Sequence, residues 1–325
     1  MIKSSYFILG VCISFLFSSC VYHFDLDESA GIPKLVVYSY PGSGDTTVVR
    51  LSRSLPVSNK DENLSGLAGK DVRLEVNGTP VGLLWTEHAL PGVPANSYYA
   101  VRTYGEGDCV RLTASAEGLG TVSSTTTVPA SFPLNSVYME RKPSNPGVLQ
   151  FQINFTDDAN AVNYYAVAVK VRAKYWKEGE SVVYYDKEYT EYMDWDDEPL
   201  LKASAGLDEI LMGDYTYYEQ LYFWSDEKIQ GKNYTLRLNK TYIPDYKTSI
   251  RDEVYINRLQ YKICLYSLSE EFYRYLKSMN EQVNNELGES ELAPIRPTYT
   301  NVENGLGLVG GCRMMQTEWM DGVKE

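Results

Sequence analysis

Three glycines in "NGLGLVGG", residues 304–311, have the spacing G-x-G-x-x-G: Gly305, Gly307 and Gly310. Where such a triplet follows a strand and opens a helix, its backbone closes around a dinucleotide pyrophosphate. The segment after Gly311, "CRMMQTEWMDGVKE", has no room for that helix, a further strand and a ribose-binding acid. A phosphate loop would need G-K-[ST], which does not follow. Neither nucleotide nor any other cofactor is therefore expected. In a strand, glycines at this density fit a bulge or the close approach of two backbones.

Other residues with catalytic potential are sparse. The histidines are His23 and His88, and no G-x-S-x-G or H-E-x-x-H occurs, so a histidine-dependent triad would need His88. "DWDDE", residues 194–198, has carboxylates suited to Ca²⁺ but lacks the spacing of a dedicated loop. A solvated acidic turn is the expectation, and no metal site. Cys109, Cys264 and Cys312 form no C-x-x-C pair and allow at most one bridge. Two carboxylates for glycoside hydrolysis have a separation that sequence does not show. A carboxylate-based, glycan-acting hydrolase and a purely structural envelope protein thus stand as alternatives to the first expectation, a protein without catalysis.

Aromatic residues give the better hint of binding. The chain has 28 Tyr against 9 Phe, and rings crowd the stretch from Tyr175 to Trp224. Such rings stack on sugars or peptides, or pair across strands of a half-buried sheet. Trp176, Tyr185, Trp195, Tyr217 and Trp224 are the candidate ligand-facing set for a glycan or peptide. The formal net charge of −13 repels phosphate backbones and anionic membrane surfaces, so no nucleic-acid partner is expected. "DTT" at 45–47 resembles the Asp-Thr-x acceptor for O-glycosylation in exported Bacteroidota proteins, with Thr46 as the acceptor.

The beginning of the sequence indicates attachment. Lys3 precedes an apolar run, "YFILGVCISFLF" at 6–17, too short for a membrane span of roughly twenty residues. "LFSSC" at 16–20 resembles a bacterial lipobox, with Phe17 where Leu is more usual. Residues 1–19 then read as a lipoprotein signal peptide and Cys20 as the acylated residue. Each buried methylene contributes roughly 0.8 kcal/mol, so several acyl chains on Cys20 would hold the protein to the outer membrane. Residues 20–33 contain Asp25, Asp27 and Glu28 and no apolar period, which describes a solvated tether.

The remainder must position these groups, and its pattern is mainly β. Residues 34–130 show about seven short strands separated by turn signals, among them Asn77–Gly78, in the rhythm of an immunoglobulin-like β-sandwich. "PASFPLNS" at 129–136 marks a boundary. Residues 131–325 form a second mainly-β domain: "VLQFQINFTDD" at 148–158 puts Leu149, Phe151, Ile153 and Phe155 inward and Gln150, Gln152 and Asn154 outward. It contains one amphipathic helix at about 269–287. Ser269 caps that helix, Glu270 and Glu271 occupy its first turn, Phe272, Tyr275, Leu276, Met279 and Val283 form the apolar stripe, and Gly288 stops it.

"PTYTNVENGLGLVGG" (297–311) after "YSLSEEFYRYLKSMNEQ" (266–282) resembles the closing signature of a Bacteroidota lipoprotein family, domain of unknown function 4249. "LVVYSYPGSGDTTVVRLSRSLP" (35–56), "FTDDANAVNYYAV" (155–167) and "FWSDEKIQGKNYTLRL" (223–238) match in the same order. At "RPTYTNVENGLG" members more often carry Ser before the Asn. The resemblance implies a signal-anchored, two-domain β protein that accompanies outer-membrane nutrient uptake. Its expected partners are a TonB-dependent transporter or that transporter's partner lipoprotein. Cys20 is the one site residue it carries over.

Overall fold

The computed structural model describes residues 33–55, 67–69, 71–205, 215–284 and 297–323. Residues 1–32, with the expected signal segment, Cys20, His23 and most of the expected tether, lie outside the described residues.

Alternation organises the first half. β1 (Leu35–Ser39), β2 (Thr46–Arg53), β3 (Asp71–Val76), β4 (Thr79–Val81), β5 (Leu84–Thr86), β6 (Ser97–Val101), β7 (Cys109–Ala116) and β8 (Gly120–Thr127) follow in turn. In β7, Val110, Leu112 and Ala114 are buried while Cys109 and Arg111 face water. These side chains meet Leu35, Val37, Leu51 and Leu74 in a core between two sheets. Each such Leu or Val contributes roughly 1.5–3 kcal/mol by leaving water. One sheet runs β4-β3-β7-β8 and the other includes β1-β2-β6-β5. Asn77 and Gly78 both take positive φ (52° and 77°), giving the expected tight turn from β3 to β4. "TPVGLLW", whose composition suggests one strand, is broken at Gly82. β4 stays beside β3, whereas β5 pairs with β6 in the opposite sheet.

The second half contains β9 (Leu134–Arg141), β10 (Val148–Thr156), β11 (Tyr164–Lys177), β12 (Val183–Tyr185), β13 (Tyr189–Glu191), the helix α1 (Pro199–Ala205), β14 (Tyr222–Ser225), β15 (Asn233–Thr241), β16 (Tyr246–Ile250) and β17 (Glu253–Leu268). β15-β10-β9 form a three-stranded sheet. Its inward Phe151, Ile153, Phe155, Leu236 and Leu238 pack on Val167, Val169, Val171, Ile263 and Leu265 of a larger sheet. Gln150 faces outward with Gln152 but is buried there, its side-chain amide donating to Asn239 Oδ1 at 2.9 Å. The larger sheet is built on β11 and β17, antiparallel partners from Tyr164↔Leu268 to Lys177↔Tyr255. Short strands line both outer edges: β12, β13 and β14 along β11, and β16 along β17.

Helix α2 (Glu270–Val283) follows β17 directly. Ser269 Oγ accepts from Phe272 N–H, as its capping role requires. Residues from 285 to 296, including Gly288, lie outside the described ones. The helix touches both sandwiches: Tyr273, outside the expected stripe, stacks on Tyr164 (centroids 4.6 Å apart), and Phe272 stacks on Tyr40 of the first (5.0 Å). Val283 is exposed and takes no part.

The chain then turns back. β18 (Leu306–Val309) pairs in parallel with β1, while β19 (Cys312–Gln316) and β20 (Met320–Asp321) pair with β17. The glycines now have a physical cause. Gly307 lies opposite Val37 at φ +102°, and a Cβ there would sit 2.0 Å from Val37 O. A Cβ on Gly311 would sit 2.0 Å from Thr127 O. They allow backbones of the first sandwich to touch, and among the described residues no helix follows them.

Candidate binding face

The structure splits the aromatic stretch in two, and this corrects three of the five expected ligand-facing rings. Trp195 and Tyr217 are each 5% exposed and Trp224 is 0%. Trp195 and Tyr217 meet edge to face, 5.5 Å apart, and Trp224 packs among Phe132, Phe155 and Tyr165. All three fill the core between the second pair of sheets, Trp224 because β14 places it beside the inward Tyr165 of β11. Trp176 is half-buried and Tyr185 is 51% exposed. Thr46 opens β2, partly buried, its hydroxyl donating to Asp45 Oδ1 at 3.1 Å.

The two remaining rings share a face with an unusual set of charges. In a strand, alternate residues face the same way, and antiparallel partners share a side. The pairs Lys170↔Lys262, Arg172↔Gln260, Lys174↔Arg258 and Trp176↔Ile256 therefore line one face of β11 and β17. Five cations stand on it in an acidic protein. Lys170 bonds to Glu188 at 2.6 Å, holding that carboxyl below its ordinary value. Lys174 and Arg258 reach Asp321 at 3.4 and 3.5 Å, and Arg258 also holds Asp245. Arg172 differs. Its guanidinium lies 4.0 Å from the Tyr185 ring centre and 4.2 Å from that of Trp319. Nε donates to Gln260 Oε1 at 3.0 Å. Lys262 lies 4.5 Å from the same Trp319 ring centre. Among the described residues, no carboxylate is within ion-pair distance of Arg172 or Lys262.

A cleft of about 590 Å³ lies elsewhere, where the 129–133 linker, the 158–163 loop and the start of α2 meet. Glu106, Asp158, Glu270 and Glu271 line it. Glu271 accepts from Thr126 Oγ1, and Glu270 pairs with Arg274. The buried carboxylates Asp157 and Asp226 do not line it. They clasp the loop instead, accepting from Tyr165 OH, Gly231 N–H and Asn163 N–H. Among the described residues no group of three or more His, Cys, Asp or Glu is arranged to hold a metal ion. Cys109 is exposed, Cys264 and Cys312 are buried, and all three are free thiols.

The model of the family described as "Domain of unknown function (DUF4249)" matches residues 21–318. The chain belongs to DUF4249. No curated protein shows a significant match. Among solved structures, the crystal structure of collagen adhesin (CNA) from S. aureus aligns over 90% of this chain and 96% of that chain. Its identity of 7% and TM-score of 0.18 are too low to carry an argument.

In this DUF4249 chain the "DWDDE" run turns at Asp196–Asp197 with Asp194, Asp196 and Asp197 exposed, as expected of a solvated turn, while Glu198 departs from that expectation. Asp194 exchanges two backbone hydrogen bonds with Asn239, at 2.8 and 2.7 Å, and Asp197 accepts from Lys142 Nζ and Asn239 Nδ2. Glu198 is fully buried, accepting from Tyr234 OH at 2.6 Å, Leu200 N–H at 3.0 Å and Arg237 N–H at 2.8 Å. Burial raises its carboxyl above the ordinary 4.5, outweighing those bonds. The folded state thus keeps the Glu198 proton to a higher pH than the unfolded chain, and stability falls as pH rises between the two values. Relative to Glu198→Gln, the wild type is expected to gain stability as pH drops from neutral toward 4.5, then to stop gaining. Denaturant midpoints of both proteins across that range measure it, and a flat difference means an ordinary Glu198.

Sequence reasoning missed Arg172, Lys262 and Trp319. The signal for the first was present: Lys170, Arg172 and Lys174 alternate in "KVRAK" at the period of a strand face. Trp319 reaches Arg172 and Lys262 only through the return of the chain beside β17.

Proposed function

We propose that this DUF4249 protein is a lipid-anchored, non-catalytic binding component of the Bacteroidota outer membrane. It is held through Cys20 and works beside a TonB-dependent transporter or its partner lipoprotein. One observation supports the binding role: an exposed aromatic arm flanks the cationic face. Val182, Val183, Tyr184, Tyr185, Tyr189 and Tyr192 are all exposed, in and around two short strands. Large apolar side chains gathered on a surface mark an interaction site, and tyrosine suits contacts that are apolar on one side and wet on the other. β12 even divides its rings, Tyr185 over Arg172 and Tyr184 stacked on Tyr175 at 5.5 Å.

Cells given an alkyne analogue of palmitate test the anchor. Wild type is expected to be labelled and to sediment with outer membranes, whereas Cys20→Ala is expected to lose the label and the membrane. Equal labelling of the two overturns the anchor. Pull-down from native outer membranes tests the partner: recovery of a transporter or its lipoprotein is expected, with retention falling at least about tenfold in a Tyr184→Ala/Tyr189→Ala variant. Recovery of neither removes the uptake role.

A further inference from the structure

Resting on that binding role, we propose that Arg172, Lys262, Trp319 and Tyr185 form a subsite for the carboxylate of an acidic saccharide, a uronic-acid-bearing oligosaccharide. The charge count comes first. Of the five cations on this face, Lys170, Lys174 and Arg258 form ion pairs with carboxylates, whereas Arg172 and Lys262 have none within ion-pair distance among the described residues and act on Glu188 only from further off. In a chain of net charge −13, acids were plentiful enough to pair them.

Geometry comes second. The rings of Tyr185 and Trp319 fix the guanidinium plane of Arg172, and Gln260 fixes its rotation through Nε. Gln260 is itself held by donating to Asp321 Oδ1 at 2.6 Å. The two terminal nitrogens of Arg172 find no hydrogen-bond partner among the described residues. A planar fork with its donors unspent matches a carboxylate in bidentate fashion. Lys262, over the same indole, supplies a second positive charge without competing for the fork.

The surroundings select a saccharide. A peptide gains affinity by adding a strand to a free sheet edge. Here the edges of β11 and β17 next to the subsite already carry β12, β13, β16 and β20, so a peptide could add a strand only beyond β12 or β16, outside the cationic row. What is offered is a flat face with Trp176 further along β11, where C–H surfaces of sugar rings can lie on aromatic rings. An extended anionic lipid surface must lie over Glu188, Asp245 and Asp321 as well as the cations, whereas a single sugar carboxylate meets only the Arg172 fork.

Calorimetry on the detergent-solubilised full chain tests this with trigalacturonate, its methyl ester, neutral galactotriose and a tetraglutamate peptide. Trigalacturonate is expected to bind at least about tenfold more tightly than the other three. Arg172→Gln is expected to weaken it at least about tenfold, and Arg172→Lys nearly as much because the fork is lost. Lys262→Gln should weaken it less, about threefold, with an unchanged denaturation midpoint. Absence of trigalacturonate binding, equal binding of its ester, or indifference to Arg172→Gln overturns the subsite. Tighter binding of galactotriose or tetraglutamate also overturns it while leaving the broader binding role standing, and membrane pull-down reads that role separately.

Discussion

Replacement of Gly307 by alanine is expected to destabilise the protein by about 4 kcal/mol, near the upper end for a point substitution. Two costs combine. The residue sits at φ +102°, where a side chain strains the backbone by about 1–3 kcal/mol. The new Cβ would also lie 2.0 Å from Val37 O. That obstacle is main chain, pinned by the pairing of β1 with β2 and with β18 itself, so it cannot rotate away. Relief requires β18 to leave β1. Gly78 supplies the control: it too has positive φ, +77°, but an added Cβ meets nothing within 4 Å. Gly78→Ala is expected to cost only about 1–2 kcal/mol. Urea midpoints of the two variants decide the matter. Equal losses would mean that backbone strain alone, and not strand contact, makes glycine necessary at 307.

Loss of the Asn301 amide is expected to cost about 3 kcal/mol, from several backbone groups left without partners. Its Nδ2 donates to Val309 O at 2.8 Å and to Thr125 O at 3.3 Å, and its Oδ1 accepts from Val309 N–H at 3.1 Å. Ser124 Oγ donates to its backbone carbonyl. One side chain thus substitutes for a strand between β18 and β8, which belong to different sheets. Asn301→Ala removes the three side-chain bonds and leaves the Ser124 bond to the backbone carbonyl. Asn301→Asp is the sharper probe, because an ionised carboxylate would face two carbonyl oxygens. That repulsion raises the aspartate's folded pKa above its unfolded value near 3.9. The Asp variant should therefore recover stability as pH falls from 7 toward 4, because protonation restores a donor. A variant as stable at pH 7 as at pH 5 would disprove that the carbonyls are held by this amide.

Much of the architecture is legible in local pattern. Leu149, Phe151, Ile153 and Phe155 alternate in the sequence and are all buried; Ser269 caps a helix because its oxygen reaches Phe272 N–H. These are effects of neighbours along the chain. The return of β18 to β1 is not legible, since nothing within Leu306–Val309 names its partner. The aromatic rings failed as a guide for a related reason. Tyrosine and tryptophan combine a large apolar body with a polar tip, so Tyr217 settles in a core with its hydroxyl on Leu201 O while Tyr185 stands over Arg172. Composition counts both alike. Lysine and arginine at every second position of β11 were the more discriminating mark, because burying a row of charges costs too much to occur by packing alone.

The parallel pairing of β1 with β18 joins residues about as distant in the chain as the fold contains. A ribosome delivers the first edge of that sheet long before its other neighbour exists, so the earliest module emerges lacking one wall. Its completion must wait for translation to reach Val309, and closing so long a loop makes assembly slow. Truncations that end before Leu306 should consequently yield a chain prone to degradation even though every residue up to β8 is present.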